Sequence, residues 1–242
     1  MKKLHWSLLK RLYKFRSRFD VYGRLDRKWL LDNRNWIDQQ LIIRRPYEVE
    51  QIARCRQLIR EHQLQCFFDI GANFGLYSVL LSDEAELSQL HAFEPLPRNV
   101  HQLGANLYLN NLDGRVKLYN MALGDRNGKL DLYVDPHSTG VSTLLPDELH
   151  RRQEAYQASL QVEARIFDDL FSFTGIRALV KLDVEGAELM VLSGMRQFLK
   201  NNQAVLQVET TQQTLDQVDA FMLQAGYRSI GKLGADSYYG NV

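Results

Sequence analysis

Apolar residues are grouped along this chain in two patterns that alternate with each other. Short apolar runs, which are typical of strands buried in a parallel sheet, occur at 66–70, 89–93, 115–119, 178–183 and 204–209. Between them, apolar residues recur every three or four positions, which predicts helices over 74–83, 97–111, 187–200 and 213–225. Strands that alternate with helices predict an α/β fold with a mostly parallel sheet.

The chain between the third and fourth of these strands is more polar. Residues 125–128 resemble a hairpin turn, and residues 129–134 alternate between apolar and polar as a strand does. The pattern then predicts a polar helical insertion at 146–159, a strand at 160–166, a helix at 167–174 and, near the end, a strand at 227–233.

The first 60 residues predict a helical extension of the sheet domain. Residues 4–19 place apolar side chains at helical spacing with lysines and arginines between them. Residues 28–45 predict a helix or an irregular cap over the domain, and residues 47–63 a further helix. We therefore divide the chain into an extension, residues 1–60, and a domain, residues 61–242.

Charge is distributed unevenly along the chain. Its net charge is +1, but residues 1–28 hold ten Lys or Arg and two Asp, a net +8, which leaves −7 for the rest. One interpretation lays this basic amphipathic segment on an anionic membrane surface, and the other packs it on protein. A nucleic-acid arm is less favoured, because such arms are usually less apolar, and no nucleic-acid partner is expected.

Two cysteines, Cys55 and Cys66, are too few for a disulfide framework or a zinc site. No apolar run approaches the ~20 residues needed to span a bilayer, and charge follows Met1 too early for a signal peptide. We therefore expect a cytoplasmic protein, with peripheral contact at the inner membrane face through residues 1–28 as an option.

The most informative stretch is residues 67–75, which read FFDIGANFG. A buried strand leads into a tight turn between Gly71 and Gly75, and a helix follows. Glycine allows sharp turns and close approach of backbone, and a helix N-terminus offers free N–H groups. The loop is neither a dinucleotide fingerprint nor a P-loop. It predicts a loop that binds a nucleotide or a carboxylate. An ordinary strand-to-helix turn without a ligand would have the same sequence pattern.

Two further motifs support a ligand-binding role of this loop. Glu94 ends the next strand about 20 residues after the loop, the distance at which an acid meets ribose hydroxyls, and Pro95 suits the first turn of a helix. Residues 181–188, KLDVEGAE, carry acids at the carboxyl end of another strand, which breaks at Gly186.

These three motifs, in this order, resemble the FkbM family of S-adenosylmethionine (SAM) methyltransferases over roughly residues 67–209. The resemblance implies a Rossmann-like doubly wound sheet, SAM as cofactor and O-methylation of a hydroxyl. It implies that SAM is bound by Asp69, Gly71, Asn73, Gly75, Glu94, Asn120, Ala122 and Asp183. Asn120 is equally well explained as a turn residue that satisfies backbone groups.

Alternation along the strand puts Lys181, Asp183 and Glu185 on one side, and doubly wound sheets bind ligands at this end of their strands. Asp183 is therefore expected near the SAM methyl group, where it would orient or deprotonate an acceptor hydroxyl. Alternatively, Asp183, Glu185 and Glu209 hold a divalent cation through oxygen ligands. Capping of the following helix is a structural explanation for Asp183.

Two other polar residues are candidates with competing explanations. His137 lies in a polar loop and is a candidate general base, although a lone surface histidine is more often inert. Glu188 stands one turn into the next helix, where a carboxylate complements the helix dipole, and we expect that role.

The resemblance implies acceptors such as sugars, glycans and polyketides. We expect a sugar hydroxyl in a bacterial surface polysaccharide or its precursor, with a polyketide or another small natural product as the alternative. A protein of this fold that binds SAM without turnover is the alternative of another class. RNA base N-methylation is disfavoured, because no N/D-P-P-Y/F motif occurs. Family members carry one more apolar strand after an asparagine comparable to Asn241, and its absence here predicts an open sheet edge or a trimmed chain.

Overall fold

The computed structural model of the protein describes residues 17–135, 142–144 and 158–242. The strands are β1 Phe19–Arg24, β2 Arg27–Asp32, β3 Cys66–Ile70, β4 Gln89–Phe93, β5 Val116–Tyr119, β6 Ala122–Leu123, β7 Gly128–Val134, β8 Ala158–Arg165, β9 Arg177–Leu182, β10 Gln203–Glu209, β11 Arg228–Leu233 and β12 Asp236–Gly240. The helices are α1 Trp36–Ile42, α2 Val49–His62, α3 Leu76–Leu80, α4 Pro97–Leu109, α5 Phe167–Leu170, α6 Glu188–Ser193, α7 Arg196–Asn201 and α8 Leu215–Gln224.

Seven strands form the central sheet in the order β11-β12-β10-β9-β3-β4-β5. The five strands from β10 to β5 are parallel, while β12 is antiparallel to both of its neighbours. The chain runs from β3 outward to β5 and then returns to place β9 on the other side of β3. The strand order therefore reverses between β3 and β9, which is where sheets of this kind bind ligands. The predicted α/β, doubly wound and mostly parallel sheet is confirmed.

Adjacent residues of the central strands pack on opposite faces of the sheet. Phe67 and Leu179 belong to a core shared with α1 to α4, whereas Phe68 and Val180 belong to a core shared with α5 to α8. All four side chains are fully buried. Burial on both faces explains why these strands read as continuous apolar runs in the sequence.

The prediction of a helix or cap over residues 28–45 is wrong for its first part. β1 and β2 form an antiparallel hairpin, and α1 begins only at Trp36. Trp29 and Leu31 alternate inward from β2 and are fully buried, which is a strand pattern, not a helical one. Asn106 of α4 accepts a hydrogen bond from the Leu30 amide at 2.6 Å and ties the hairpin to the domain.

Most of the predicted basic helix 4–19 lies outside the described residues, and Phe19 already belongs to β1. Its contact with a membrane surface stays a prediction. None of the helices that the structure describes is long and apolar enough to cross a bilayer.

The predicted hairpin turn at 125–128 does not join two paired strands. β6 pairs with one edge of β8 in parallel, and β7 pairs with the other edge in antiparallel fashion. Asn127 in this turn instead accepts a hydrogen bond from the Ile166 amide at 2.9 Å and donates one to Asp169 at 2.6 Å. The predicted insertion 146–159 lies outside the described residues except for its last two, which begin β8.

The predicted strand at 227–233 is confirmed as β11, but it is not the last strand, because β12 follows it before Asn241. β12 lies between β10 and β11, so β10 is not an open edge. Its side chains Tyr238 and Tyr239 are buried, and the Tyr239 hydroxyl donates to Asp219 at 2.6 Å. The sequence of this strand, DSYYG, is polar enough to escape a search for apolar runs.

The predicted helix 187–200 is divided at Gly194. A Cβ on this residue would lie 2.1 Å from the carbonyl oxygen of Gly124, so the chain needs glycine where it passes the loop after β6.

His91 of β4 is a buried titratable group in the aromatic core. Its ring stacks on Phe68 with centroids 5.0 Å apart, and Nδ1 lies 3.1 Å from the Tyr119 hydroxyl. Nε2 is buried and has no hydrogen-bond partner in the described structure. Burial, assisted by the charge of Lys117, lowers the pKa of His91 to about 4.

This pKa predicts acid sensitivity. The folded state favours neutral His91, so its contribution to stability is complete above the ordinary pKa of 6.5 and is lost as pH falls from there towards 4, by up to about 3 kcal/mol. Urea unfolding of His91→Phe should show a weaker loss of stability between pH 7 and pH 4.5 than the wild type. His101→Gln, at an exposed site, serves as the control, and identical pH dependence in all three proteins would refute the assignment.

Candidate active site

A cleft opens at the carboxyl ends of β3, β4, β9 and β10, where the strand order reverses. It collects most of the residues that the sequence predicts to be functional. Those that line it are Asp69, Gly71, Asn73, Glu94, Ala122, Asp183, Glu185 and Glu209. They come from five separate stretches of chain, and only the topology of the sheet brings them together.

The glycines of the loop after β3 serve the approach of one chain segment to another. Gly71 has φ +82°, and a Cβ there would lie 1.8 Å from the Asp183 carbonyl oxygen. Gly75 has φ +91°, and a Cβ there would lie 2.1 Å from Cδ1 of Leu103 in α4. Gly71 lines the cleft, whereas Gly75 does not and packs behind the loop. A side chain at Gly71 would push the loop away from the backbone of Asp183, and one at Gly75 would displace Leu103 and strain a backbone of positive φ.

Asp69 fixes the helix that follows the loop. Its Oδ2 accepts hydrogen bonds from the Ser78 amide at 3.0 Å and from the Ser78 hydroxyl at 2.6 Å, which caps the first turn of α3. Burial raises the pKa of Asp69. Its Oδ1 is buried and has no partner among the described residues, so this oxygen is available to a group bound in the cleft.

Glu94 joins two loops at the wall of the cleft. Its Oε2 accepts from the Asn73 amide and its Oε1 from the Leu96 amide, both at 2.8 Å. Burial raises the pKa of Glu94 to about 7 despite these bonds. Asn120 is exposed and outside the cleft lining, and its amide donates to the carbonyls of Glu94, at 3.2 Å, and Pro95. Asn120 thus supports the Glu94 backbone, as the turn explanation expected.

Lys181, Asp183 and Glu209 form one charged unit. The Lys181 ammonium lies 2.8 Å from Asp183 Oδ2 and 4.9 Å from the ring centroid of Tyr77. Burial opposes both charges. The attraction of Asp183 and Asp69 nevertheless raises the pKa of Lys181, and Lys181 together with the hydrogen bond from Glu209 lowers the pKa of Asp183.

Glu209 carries the proton of this unit. The negative charge of Asp183, the hydrogen bond to Asp183 and burial raise the pKa of Glu209 to about 10. At neutral pH the unit therefore consists of an ammonium, an ionised Asp183 and a protonated Glu209 that donates to it. Two carboxyl groups in contact share one proton because both cannot ionise at this distance.

The acidic residues can also be viewed as a cation site. Asp183, Glu185 and Glu209 each offer a carboxylate oxygen, and these oxygens lie within 4.8 Å of one another. Glu185 has φ +52°, and its carbonyl accepts from the Thr143 hydroxyl at 2.8 Å. A divalent ion there would have to displace the shared proton and compete with Lys181.

Two predicted residues have other placements. Oε1 of Glu188 accepts from the amides of Val184 and Gly186 at 3.3 and 3.0 Å, so this side chain fastens the loop before α6, in keeping with the expected role at a helix N-terminus. His137 lies outside the described residues, and its role as a general base stays a prediction.

A buried polar network under the cleft was missed by sequence reasoning. The Tyr77 hydroxyl donates to Glu48 at 2.7 Å and accepts from Gln207 at 3.0 Å, and Gln207 also donates to Asp236 at 2.8 Å. Cys55 donates to Gln207 at 2.9 Å. The one available signal was Gln207, a polar residue inside an otherwise apolar strand, because a fully buried amide needs partners.

Acidic residues outnumber basic residues in the lining of the cleft. Its acidic lining residues are Glu48, Asp69, Glu94, Asp183, Glu185, Glu209 and Asp236, and Lys181 is the one Lys or Arg of the described lining. Such a site favours a bound group that carries positive charge.

Comparison with known proteins gives a family match. The family model described as "Methyltransferase FkbM domain" matches residues 69–229. The chain is 32% identical over 152 residues to methyltransferase sdnD of Sordaria araneosa, which covers 52% of the chain and 59% of sdnD. It is 28% identical to 2-O-methyltransferase NoeI of Sinorhizobium fredii, over 65% of the chain and 68% of NoeI.

A third relative is 31-O-demethyl-FK506 methyltransferase FkbM of Streptomyces tacrolimicus, 26% identical over 68% of the chain and 73% of that protein. The chain matches less than two thirds of the length of sdnD.

The charge assignment predicts unequal effects of two neutralising substitutions. Asp183→Asn leaves buried Lys181 without its closest counter-charge, whereas Glu209→Gln replaces a protonated carboxyl by an amide that still donates. We expect Asp183→Asn to lower the free energy of unfolding by about 2 kcal/mol, less than a fully buried pair costs, because a third of the Asp183 side chain is exposed.

Glu209→Gln should change it by less than about 1 kcal/mol at pH 7. Urea unfolding of both variants measures the difference. Equal losses, or a larger loss for Glu209→Gln, would contradict the protonated state assigned to Glu209.

Proposed function

The chain belongs to the FkbM methyltransferase domain family, and from this premise we propose that it is a SAM-dependent O-methyltransferase. The observation that carries the proposal is the meeting of Glu94 and the Lys181–Asp183–Glu209 unit in one cleft where the strand order reverses. Two relatives are named as O-methylating enzymes, which supports a hydroxyl as the acceptor.

The residues of the cleft fit SAM chemically. The Glu94 carboxylate would accept from ribose hydroxyls, and the free Oδ1 of buried Asp69 offers a further acceptor for a bound donor group. Met121 and Ala122 supply an apolar wall suited to the adenine. The acidic lining suits a cationic sulfonium and ammonium group.

When bound, SAM supplies a methyl group activated by its sulfonium. Asp183 would accept the hydrogen bond of an acceptor hydroxyl and take its proton as the hydroxyl oxygen gains the methyl group. Hydrogen bonds from Lys181 and from protonated Glu209 orient this carboxylate. The protein's contribution is therefore alignment and proton acceptance.

Our preferred acceptor is a sugar hydroxyl in a bacterial surface polysaccharide or its precursor. A polyketide or another natural product is the alternative, which the FK506 methyltransferase among the relatives supports. A protein that binds SAM without turnover is the alternative of another class, and binding without methyl transfer would identify it.

A divalent cation on Asp183, Glu185 and Glu209 is the second candidate for the chemistry of the site, favoured by the 4.8 Å limit on their oxygen separations. We prefer the arrangement without it, because Lys181 and the shared proton already compensate Asp183.

Methyl transfer is tested with isotope-labelled SAM on a panel of free sugars, nucleotide sugars and polyketide alcohols. We expect a labelled sugar product, and Asp183→Asn should reduce turnover about 100-fold or more while the affinity for S-adenosylhomocysteine (SAH) stays within about threefold. Asp113→Asn, at an exposed acid outside the cleft, is the matched control.

EDTA treatment should leave the rate unchanged. A rate that EDTA abolishes and Mg²⁺ restores would move the assignment to the cation, and full activity of Asp183→Asn would refute the role of Asp183.

A further inference from the structure

A second concave surface, the basic groove, lies beside the cleft. It is bounded by the β1–β2 turn, the segment between α1 and α2, and the residues that end α4. Its cationic lining residues are Arg24, Arg27, Lys28, Arg44 and Arg45, and Asp26 is the one acid among its described lining residues. This excess of positive charge contrasts with the acidic cleft.

Three of these cations are already engaged. The Arg24 guanidinium donates to the carbonyls of Leu41 at 3.0 Å and Ile42 at 2.8 Å. Arg27 pairs with Asp83. Arg45 donates to Gln40. These bonds fix the shape of the groove.

Lys28 and Arg44 are different. Both are exposed, and no described carboxylate lies within ion-pair distance of either. The Asn110 side chain binds the Lys28 backbone twice. Its oxygen accepts from the Lys28 amide at 3.1 Å, and its nitrogen donates to the Lys28 carbonyl at 2.7 Å. Within the described part of the chain, the groove thus presents two cations without an ion-pair partner, and the backbone of Lys28 is held in place.

Three lining residues of the groove have a left-handed backbone conformation. Leu25, Asp26 and Arg44 have φ of +52°, +57° and +58°, values that residues other than glycine seldom adopt. Leu25 and Asp26 are the two central residues of the β1–β2 hairpin, and a two-residue hairpin turn favours positive φ at both positions. The hairpin therefore fixes the shape of this wall of the groove.

Tyr47 connects the groove to the cleft, because it lines both. Burial, reinforced by the charges of Glu48 and Asp183, raises the pKa of its hydroxyl, so Tyr47 stays a neutral donor. A molecule that reaches past Tyr47 would place one part among acids and another among cations.

We propose that the basic groove binds a phosphate or diphosphate group of the methyl acceptor while the hydroxyl of the same molecule occupies the cleft. Lys28 and Arg44 would contact the phosphate oxygens, for which an arginine fork and a lysine point charge are both suited. The proposal rests on the proposed function and narrows it: the acceptor is a phosphorylated molecule, such as a sugar attached to a diphosphate carrier, and not an uncharged glycan.

Calorimetric titration of the full chain with inorganic pyrophosphate tests this assignment. The double variant Lys28→Gln/Arg44→Gln should bind pyrophosphate about tenfold or more weakly than the wild type, because it loses two charge-assisted contacts. Arg126→Gln/Lys129→Gln removes two exposed cations elsewhere and should stay within about twofold. Saturation with SAH should leave pyrophosphate binding in place. Unchanged thermal midpoints would establish that the variants are folded.

Equal pyrophosphate affinity in all three proteins, no binding to the wild type, or displacement of pyrophosphate by SAH would overturn the proposal. Sedimentation with phosphatidylcholine–phosphatidylglycerol vesicles that depends on Lys28 and Arg44, without pyrophosphate binding, would assign the groove to a membrane surface instead and would also overturn it. SAH binding in the same samples separates the phosphate site from the proposed methyltransferase function. SAH binding without pyrophosphate binding refutes only the phosphate site in the groove. Pyrophosphate binding without SAH binding refutes the claim that the bound phosphate belongs to a methyl acceptor.

Discussion

The buried ion pair between Lys181 and Asp183 is the constraint on which the candidate site depends. The Lys181 side chain is 7% exposed and its ammonium contacts the Tyr77 ring, so it needs a counter-charge, which Asp183 supplies at 2.8 Å. Once Asp183 is ionised, Glu209 beside it must keep its proton. One buried cation therefore sets the ionisation of both acids and the orientation of the carboxylate at the end of β9.

The sheet provides the geometry that this constraint requires. β9 and β10 run parallel and side by side, so Asp183, directly after β9, and Glu209, the last residue of β10, lie at adjacent strand ends. The loop after β3 meets the same place only because Gly71 carries no Cβ against the Asp183 carbonyl. Glu94 then closes the wall through the Asn73 amide. The cleft becomes acidic as a result of this convergence, while the cations of residues 24–45 gather on a separate surface that shares Tyr47 with it.

The sequence predicted the parts of the fold in which local pattern and burial agree. β3 and β4 were placed at their observed bounds because strands buried on both faces read as apolar runs. The sequence does not identify β2, because Leu30 between the buried Trp29 and Leu31 makes an apolar cluster that hides their alternation. It does not identify β12, because buried tyrosines, serine and aspartate make a strand without an apolar run.

Motifs in the sequence identify many residues of the site, but they do not show which of these residues contact one another. The pairing of Asp183 with Glu209 joins strands separated by 20 residues of chain, and only their register reveals it. Glu48 and Asp236 come from a turn and a strand outside every recognised motif, so no spacing rule could place them in the cleft.

The central claim is that the cleft holds SAM with Glu94 on its ribose, and calorimetric titration with SAH tests it most directly. We expect tight binding to the wild type at pH 8, weaker by about tenfold or more in Glu94→Ala, which loses a charged acceptor. Because the pKa of Glu94 is about 7 and only the ionised form is a full acceptor, wild-type affinity should fall as pH drops from 8 to 6. Absence of SAH binding to the wild type, or affinity that depends neither on Glu94 nor on pH, would contradict the account.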